Sequence, residues 1–154
     1  MRQCFADAAG RMGLRLIHFS VLGNHVHLIV EANDKQALSR GLQGLCIRLA
    51  KALNRVMRRS GPVFGDHYHS RLLRTPTEVV NAIAYVLDNH THHYGGNAGR
   101  DRYSSAAVKD EVLEPRTWLL RIGWRRVRRA PQWVVRELSG NTGRSIRGRV
   151  TASP

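Results

Sequence analysis

The chain has 154 residues, of which 42% are hydrophobic, and it carries a formal net charge of +14 with an isoelectric point near 11.4. This length and composition predict one globular domain with its own core and exclude a disordered chain. No apolar run approaches the roughly 18 residues of a membrane span. The charge predicts a polyanionic partner, most simply a nucleic acid. Residues 1–13 lack the apolar block of a secretory signal, so a cytoplasmic location, with no membrane partner, is expected.

The positive charge is concentrated toward the C-terminal end. Residues 116–154 contain ten arginines against one acidic residue, Glu137. This clustering favours contacts to nucleic-acid phosphates. A basic helix on a membrane surface is the alternative, although the segment has no continuous apolar face, and a merely solvated tail is a third interpretation. The candidate DNA contacts are five arginines: Arg121, Arg125, Arg126, Arg128 and Arg129.

The two cysteines bear on the redox compartment. Cys4 and Cys46 lie in half-apolar segments that predict helices. Buried, reduced thiols in the cytoplasm are the favoured interpretation, and a disulfide is the alternative.

The first third of the chain predicts a helix followed by a β-hairpin. Residues 2–13 place apolar side chains at helical spacing and end on a glycine suited to a C-cap. Two β-rich segments, residues 15–22 and 25–31, then flank Gly23-Asn24, a pair typical of two-residue hairpin turns.

A tight turn fixes the register of this hairpin. The predicted pairs are Leu22 with His25, Ser20 with His27, and His18 with Ile29. Because side chains alternate between the two faces of a strand, six apolar residues should share the core-facing side. They are Ile17, Phe19, Val21, Val26, Leu28 and Val30.

The entry of the second strand, GNHVHLIV, carries two histidines on alternate residues. His25 and His27 therefore lean toward the same face, together with Ser20 and His18, and this face is the less apolar one. Two partly exposed histidines at a sheet edge would account for the pattern without any function. A ligand pair on a rigid strand is the functional alternative.

Two helices and a strand are predicted after the hairpin. Leucines recur at spacings of three and four over residues 34–59, which indicates a long amphipathic helix. Residues 68–73 predict a strand. Thr75-Pro76-Thr77-Glu78 is a capping box with proline at the first helical position, so a further helix begins there and runs to Gly95.

That last helix carries Tyr85 and Asn89, which share a face because they are four residues apart. Taken alone, Tyr85 is more simply a core residue with its hydroxyl at the rim, and Asn89 a surface polar residue. Combined with the histidine pair and the basic charge, they suggest a site. Two imidazoles and an amide oxygen suit a divalent ion with open positions, and such an ion polarises a phosphodiester. A tyrosine beside it is a natural nucleophile.

The same segments resemble a known family. NHVHLIVE is similar to the His-hydrophobic-His (HUH) motif, and AYVLDNH resembles the tyrosine helix of HUH-type single-tyrosine transposases of small insertion sequences, which include the REP-associated tyrosine transposases. The resemblance covers roughly residues 2–94, with VFGDHYHSRLLRTP between the two motifs. The histidine triplet alone is weakly specific, and its combination with the tyrosine and asparagine is fairly specific.

The resemblance implies a role for four residues. His25, His27 and Asn89 would be the metal ligands, with Mg²⁺ or Mn²⁺ as cofactor, and Tyr85 would be the nucleophile that forms a covalent 5′-phosphotyrosine. It further implies single-stranded, hairpin-bearing DNA as substrate and, as in several members, a homodimer. The remaining histidines match no family ligand and are interpreted as surface or DNA-contacting groups, with adventitious zinc binding as a minor alternative. These are His67, His69, His90, His92 and His93.

The implied fold is α+β, a ferredoxin-like βαββαβ core with the tyrosine helix after the last strand. Residues 1–94 would form this domain and residues 95–154 a basic C-terminal extension. The family fold opens with a central strand that is not evident here, so we expect an unfilled edge on the strand of residues 25–31. A longer N-terminus in the true gene product, or a decayed copy, would explain the missing strand.

Three functions are compatible with these features. A metal-dependent transposase acting on single-stranded DNA ranks first. An inactive or truncated DNA-binding relative ranks second, and a generic basic nucleic-acid-binding protein whose histidines hold a structural metal ranks third. Convergence of Tyr85 on the face of His25 and His27 distinguishes the first from the third.

Overall fold

The computed structural model describes residues 2–94, 103–108 and 111–140, and of residues 2, 89–94 and 140 the backbone alone. The described residues form an α+β protein built on a two-stranded antiparallel sheet flanked by helices. The elements in chain order are α1 (Arg2–Ala8), β1 (Leu14–Val21), β2 (Val26–Ala32), α2 (Lys35–Val56), α3 (Pro76–Tyr94), α4 (Trp118–Arg121) and α5 (Gln132–Gly140), with short 3₁₀ turns at Arg11–Gly13 and Gly123–Arg126.

The hairpin of β1 and β2 has the predicted register. Ser20 pairs with His27, and His18 pairs with Ile29. The Leu22 amide donates to the His25 carbonyl oxygen at 2.9 Å, which closes the turn. The register predicted from a loop of two residues is therefore confirmed.

A β-bulge changes the face of one predicted core residue. Leu16 pairs with Val30 and His18 with Ile29, so Ile17 has no partner of its own in the ladder. The extra residue rotates Ile17 away from Phe19. Ile17 was predicted to lie on the face of Phe19, and this was wrong.

Both faces of the sheet are covered, each by a separate core cluster. The stacked rings of Phe5 and Phe19, with centroids 4.2 Å apart, lie at the centre of the cluster on the α2 face. Its buried members are Phe5, Ala8, Leu16, Phe19, Leu45, Leu49 and Val112. The cluster on the α3 face joins Ile17 and Ile29 of the sheet to α3, α4, the second 3₁₀ turn and α5. The residues from these four elements are Val79, Val80, Ile83, Val86, Leu87, Leu120, Trp124, Val134 and Leu138.

This second cluster includes residues from both sides of the predicted boundary at residue 95. Leu120, Trp124 and Leu138 are 4–6% exposed and pack with α3. Within its described part, the C-terminal segment therefore contributes to the same core as the tyrosine helix. No helix among the described residues combines the length and the apolar character needed to cross a membrane.

The first helix is shorter than predicted. α1 ends at Ala8, whereas the apolar pattern predicted a helix to Gly13. Gly10 adopts a left-handed conformation with φ of 76°, which terminates the helix. Met12, assigned to the apolar stripe by its spacing, is 69% exposed as a result.

β1 has a second neighbour that the sequence did not reveal. The amide of Val21 donates to the Tyr103 carbonyl at 3.0 Å, and the amide of Ser105 donates to the Phe19 carbonyl at 2.9 Å. Ser20 and Ser104 form an antiparallel bridge. The segment after α3 thus returns to the free edge of β1.

β2 has no partner but β1 within the described residues, so the unfilled edge predicted for residues 25–31 is confirmed there. The strand predicted at residues 68–73 is wrong, because that segment forms no ladder. Tyr68 and Leu72 are 46% and 72% exposed, so the segment buries no continuous apolar face against the sheet.

The two cysteines are free thiols, as predicted. The Cys4 thiol lies 3.6 Å from the Arg48 carbonyl oxygen, which accepts a weak hydrogen bond from it. Burial raises the pKa of the Cys46 thiol, so this group is protonated and unreactive at neutral pH.

Two glycines of α2, Gly41 and Gly44, allow a matched test of how closely α2 packs against β1. A Cβ on Gly41 would lie 2.5 Å from Leu14 Cβ, whereas one on Gly44 would meet only the flexible end of Arg48 at 3.1 Å. Gly41→Ala is expected to lower the free energy of unfolding by about 1–3 kcal/mol through overpacking. Gly44→Ala should raise it by about 0.5–1 kcal/mol through helix propensity. Urea titration measures both, and equal effects would contradict the close approach at Leu14.

The capping box at the start of α3 forms as predicted. The Glu78 carboxylate accepts from the amides of Arg74 (2.7 Å) and Thr75 (3.1 Å) and from the Arg71 guanidinium (3.1 Å), while Thr75 Oγ1 accepts from the Glu78 amide at 3.2 Å. These hydrogen bonds lower the pKa of Glu78 below its usual value of 4.5, and the bond from the Arg74 amide has the largest effect.

This depressed pKa predicts an acid-dependent loss of stability. A carboxylate with a lowered folded-state pKa stabilises the protein above its unfolded-state value, and the contribution is lost as pH falls through the lowered pKa. Melting temperatures of wild type and Glu78→Gln should therefore differ at pH 6–7, and the difference should shrink as the pH falls below 4.5 and through the lowered pKa. Asp66→Asn, at an exposed carboxyl in the preceding loop, is the control. A gap that persists in acid would contradict the assignment.

Candidate active site

The two motif histidines meet at the turn end of the hairpin. His25 directly precedes β2 and His27 is its second residue. Their Nε2 atoms are 3.0 Å apart, and the rings meet edge to face with centroids separated by 4.6 Å. His25 is exposed and His27 half-buried, so the pair is open to solvent.

The neighbouring turn residue orients the first imidazole. His25 Nδ1 lies 2.6 Å from Asn24 Oδ1, which can only accept a hydrogen bond. Nδ1 therefore carries the proton, and in the neutral ring Nε2 presents a lone pair. A histidine ligand is oriented in the same way when its second nitrogen donates to an oxygen. Asn24 thus holds His25 in the ligand tautomer, a role that the sequence had not suggested.

The separation of the two nitrogens fits a shared cation. Metal–imidazole bonds of about 2.0–2.1 Å that meet at a right angle place the two nitrogens about 3 Å apart. The observed 3.0 Å agrees with this geometry and equally with an N–H···N hydrogen bond between the rings. The donor set of two imidazoles suits a borderline divalent ion.

Helix α3 brings Tyr85 to this pair. Val79, Ile83 and Val86 are at most 5% exposed and fix the helix against the sheet. Tyr85 lies off this buried face, 55% exposed, and its ring meets His27 edge to face at a centroid distance of 5.0 Å. The tyrosine and the two histidines thus converge, as the sequence predicted.

The third predicted ligand, Asn89, lies on α3 one turn after Tyr85, but its side chain falls outside the described residues. In the part of the chain that the structure describes, no group of three or more histidine, cysteine, aspartate or glutamate side chains is placed to hold a metal ion.

A buried polar layer continues inward from the histidines. Ser20, opposite His27, and His18 are 0% and 1% exposed. The Ser105 hydroxyl lies 3.1 Å from His18 Nδ1 and accepts from the Phe19 amide at 3.2 Å. The sequence predicted His18 and Ser20 on this face but gave no signal for Ser105, which comes from the segment returning to β1.

Of the remaining histidines, the two whose side chains are described are not brought to the pair. His67 and His69 are exposed in the irregular segment before α3. The other three, His90, His92 and His93, lie on the last turns of α3, where the side chains are outside the described residues.

The five arginines predicted to contact DNA are all exposed. The Arg125 guanidinium lies 5.4 Å from the Trp124 ring centroid, and that of Arg126 lies 4.8 Å from the centroid of Trp118. No carboxylate of the described residues forms an ion pair with any of the five. Their charge is therefore available to a polyanion.

Comparisons with protein-family models, with curated proteins and with solved structures gave no match.

Proposed function

We propose that this chain is a metal-dependent transposase that cleaves and rejoins single-stranded DNA through a covalent 5′-phosphotyrosine, and that it acts in the cytoplasm on nucleoid DNA. The observation that supports this most is the convergence of the exposed Tyr85 on the His25–His27 pair. A nucleophile and a ligand pair come here from separate elements, and the chain's basic charge suits the substrate.

In this proposal each residue has a defined role. The Tyr85 phenol loses its proton as its oxygen attacks the phosphorus of a phosphodiester, the bond from phosphorus to the 3′ oxygen breaks, and that oxygen takes up a proton to leave as a 3′-hydroxyl. The new ester links Tyr85 to the 5′ phosphate, and attack by a 3′-hydroxyl reverses the step without external energy. His25, His27 and Asn89 would hold Mg²⁺ or Mn²⁺, which supplies charge stabilisation at the phosphate when bound. Asn24 keeps His25 in the ligand tautomer.

The proposal extends to a family and a fold. The chain would be a member of the HUH-type single-tyrosine transposases with a ferredoxin-like core, and a homodimer. The hairpin with its histidines, the long amphipathic α2 and the tyrosine-bearing α3 occur in the order that this fold requires. A full βαββαβ core has four strands, so it would need two beyond β1 and β2, the first of them beside β2.

A covalent adduct with defined polarity tests the proposed reaction. Short single-stranded oligonucleotides are incubated with the protein and Mn²⁺, labelled at either the 5′ or the 3′ end. A 5′-phosphotyrosine retains the downstream fragment, so only the 3′ label should migrate with denatured protein. An adduct that carries the 5′ label would contradict the mechanism, and chelator added before the DNA should prevent the adduct from forming.

A non-catalytic DNA-binding relative is the second candidate. It is favoured by the two-stranded sheet of the described residues, because an active ferredoxin-like core would have a further strand beside β2. Binding of single-stranded DNA without any adduct, under conditions that load the metal, would favour this candidate over the first.

The exposed arginines predict strong salt dependence of binding. Deleting residues 116–154 would remove Leu120 and Trp124 from the core, so charge substitution is the cleaner test. Replacing Arg125, Arg128 and Arg129 by glutamine should reduce the slope of log affinity against log salt by about 2, since each phosphate contact to a single strand contributes roughly 0.7.

A matched variant controls for net charge in this titration. Lys35, Lys51 and Arg55 are exposed on α2, and their replacement by glutamine lowers the net charge equally. An equal change of slope in both triple variants would mean that the C-terminal arginines are not the contact surface.

A further inference from the structure

Trp118, the first residue of α4, is 46% exposed within an arginine-rich segment, residues 116–129. Residues 116–129 contain six exposed arginines and no acidic residue. The Arg126 guanidinium lies 4.8 Å from the Trp118 ring centroid. Trp124, in the same segment, is 4% exposed and belongs to the core, so the two tryptophans have different roles.

The ring of Trp118 packs directly on Gly123, where a side chain would collide with it. A Cβ on Gly123 would lie 2.8 Å from the six-membered ring. The indole is therefore seated against the backbone of the following 3₁₀ turn, which fixes its orientation while nearly half of its surface stays open.

A buried carboxylate of the sheet fixes the backbone just before Trp118. Glu31, 8% exposed on β2, accepts from the Arg116 amide (2.8 Å), the Thr117 amide (2.7 Å) and the Thr117 hydroxyl (2.6 Å). Arg15 lies 3.7 Å from the same carboxylate. Charge-assisted hydrogen bonds of this kind are strong, so they hold the backbone next to Trp118 in a fixed position.

The hydrogen bonds of Glu31 connect this surface to the strand that carries His27. Glu31 and His27 lie on the same strand, four residues apart, and so on the same face, about 13 Å from each other along β2. A single strand that passes Tyr85 could reach Trp118 within a few nucleotides.

We propose that Trp118 is a stacking platform for an unpaired base of single-stranded DNA. The base would take the place of the Arg126 guanidinium that lies over the ring, and the released guanidinium and the surrounding arginines would contact the phosphates. A rigid exposed aromatic ring within a basic surface is what sequence-tolerant binding of single strands requires. The inference rests on the proposed function for the identity of the strand. The stacking itself needs neither the metal nor Tyr85.

The test compares two polyanions of equal charge. A 20-nucleotide oligo(dT) and an abasic strand with the same phosphates are titrated in chelator against Tyr85→Phe protein, so that no cleavage occurs. Trp118→Ala should weaken binding of oligo(dT) about 10-fold and leave the abasic strand unchanged. Trp118→Phe should restore most of the affinity, and Trp118→Leu should not, because it keeps apolar bulk without an aromatic face.

A second variant changes Gly123, on which the ring packs, and keeps the tryptophan itself. Gly123→Ala should displace the indole and reproduce the selective loss for oligo(dT), whereas Gly44→Ala, distant in sequence and on α2, should not. An equal loss on both strands, or none on oligo(dT), would overturn the platform. Thermal melting confirms that each variant is folded.

These results are separable from those for the proposed function. If wild type forms the 3′-labelled adduct but Trp118→Ala binds oligo(dT) normally, the platform is wrong and the reaction stands. If Trp118→Ala loses base-dependent binding but no protein forms an adduct, the platform stands and the reaction is wrong.

Discussion

Tyr85→Phe is expected to abolish the covalent protein–DNA adduct and to leave binding of single-stranded DNA unchanged. The substitution removes only the nucleophilic oxygen, and the aromatic ring that meets His27 at 5.0 Å is retained. Loss of a nucleophile lowers the rate by many orders of magnitude, so adduct formation should fall by at least about 10³-fold. Because Tyr85 is 55% exposed, the melting temperature should change little. Denaturing gels with 3′-labelled DNA measure the adduct.

Two other exposed tyrosines serve as controls for this result. Tyr68 and Tyr103 are 46% and 61% exposed, and phenylalanine at either position should leave the adduct intact. Persistence of the adduct in Tyr85→Phe would show that the nucleophile was wrongly assigned. Tyr68, Tyr94 and Tyr103 would then be tested in turn.

Replacing both His25 and His27 by alanine is expected to abolish metal-dependent cleavage while the protein remains folded. The two Nε2 atoms face each other at 3.0 Å, so their removal destroys the whole imidazole contribution to a cation site. Neither ring belongs to the two core clusters, which explains why folding should be preserved. Cleavage should fall below detection, and Mn²⁺ affinity, measured calorimetrically, should fall at least about 10-fold.

The chain offers a matched control for the histidine pair. His67 and His69 have the same spacing but are exposed in an irregular segment, so their double alanine variant should bind Mn²⁺ and cleave normally. Undiminished cleavage in the His25/His27 variant, or activity in chelator, would exclude the proposed metal role. The 3.0 Å contact would then be an N–H···N hydrogen bond between two surface histidines.

Features governed by neighbouring residues were correctly predicted. Gly23-Asn24 marks the turn, and the flanking strands pair in the register predicted for two residues between them. The start of α3 follows from Thr75 and Glu78, whose side chains satisfy backbone amides within one turn. The alternation of His25 and His27 follows from strand geometry alone.

Features governed by distant residues were missed or predicted wrongly. Ile17 changes face through a bulge, in a strand that is buried on both sides. Residues 68–73 have β-rich composition, but no partner strand selects that conformation in the described chain. Ser105 and the anchor between Glu31 and Thr117 join residues more than 80 positions apart, a separation over which sequence periodicity carries no signal.

The sequence by itself determined the parts of the candidate site: a strand that presents His25 and His27 on one face, and a helix that carries Tyr85. Only the tertiary structure decided that these parts meet. The contact at 5.0 Å between His27 and Tyr85 depends on how α3 lies on the sheet. That orientation is set by burial of Ile83 and its neighbours against Ile17 and Ile29. Burial of apolar area is non-directional, so its outcome follows from the shapes of both surfaces and cannot be derived from either segment alone.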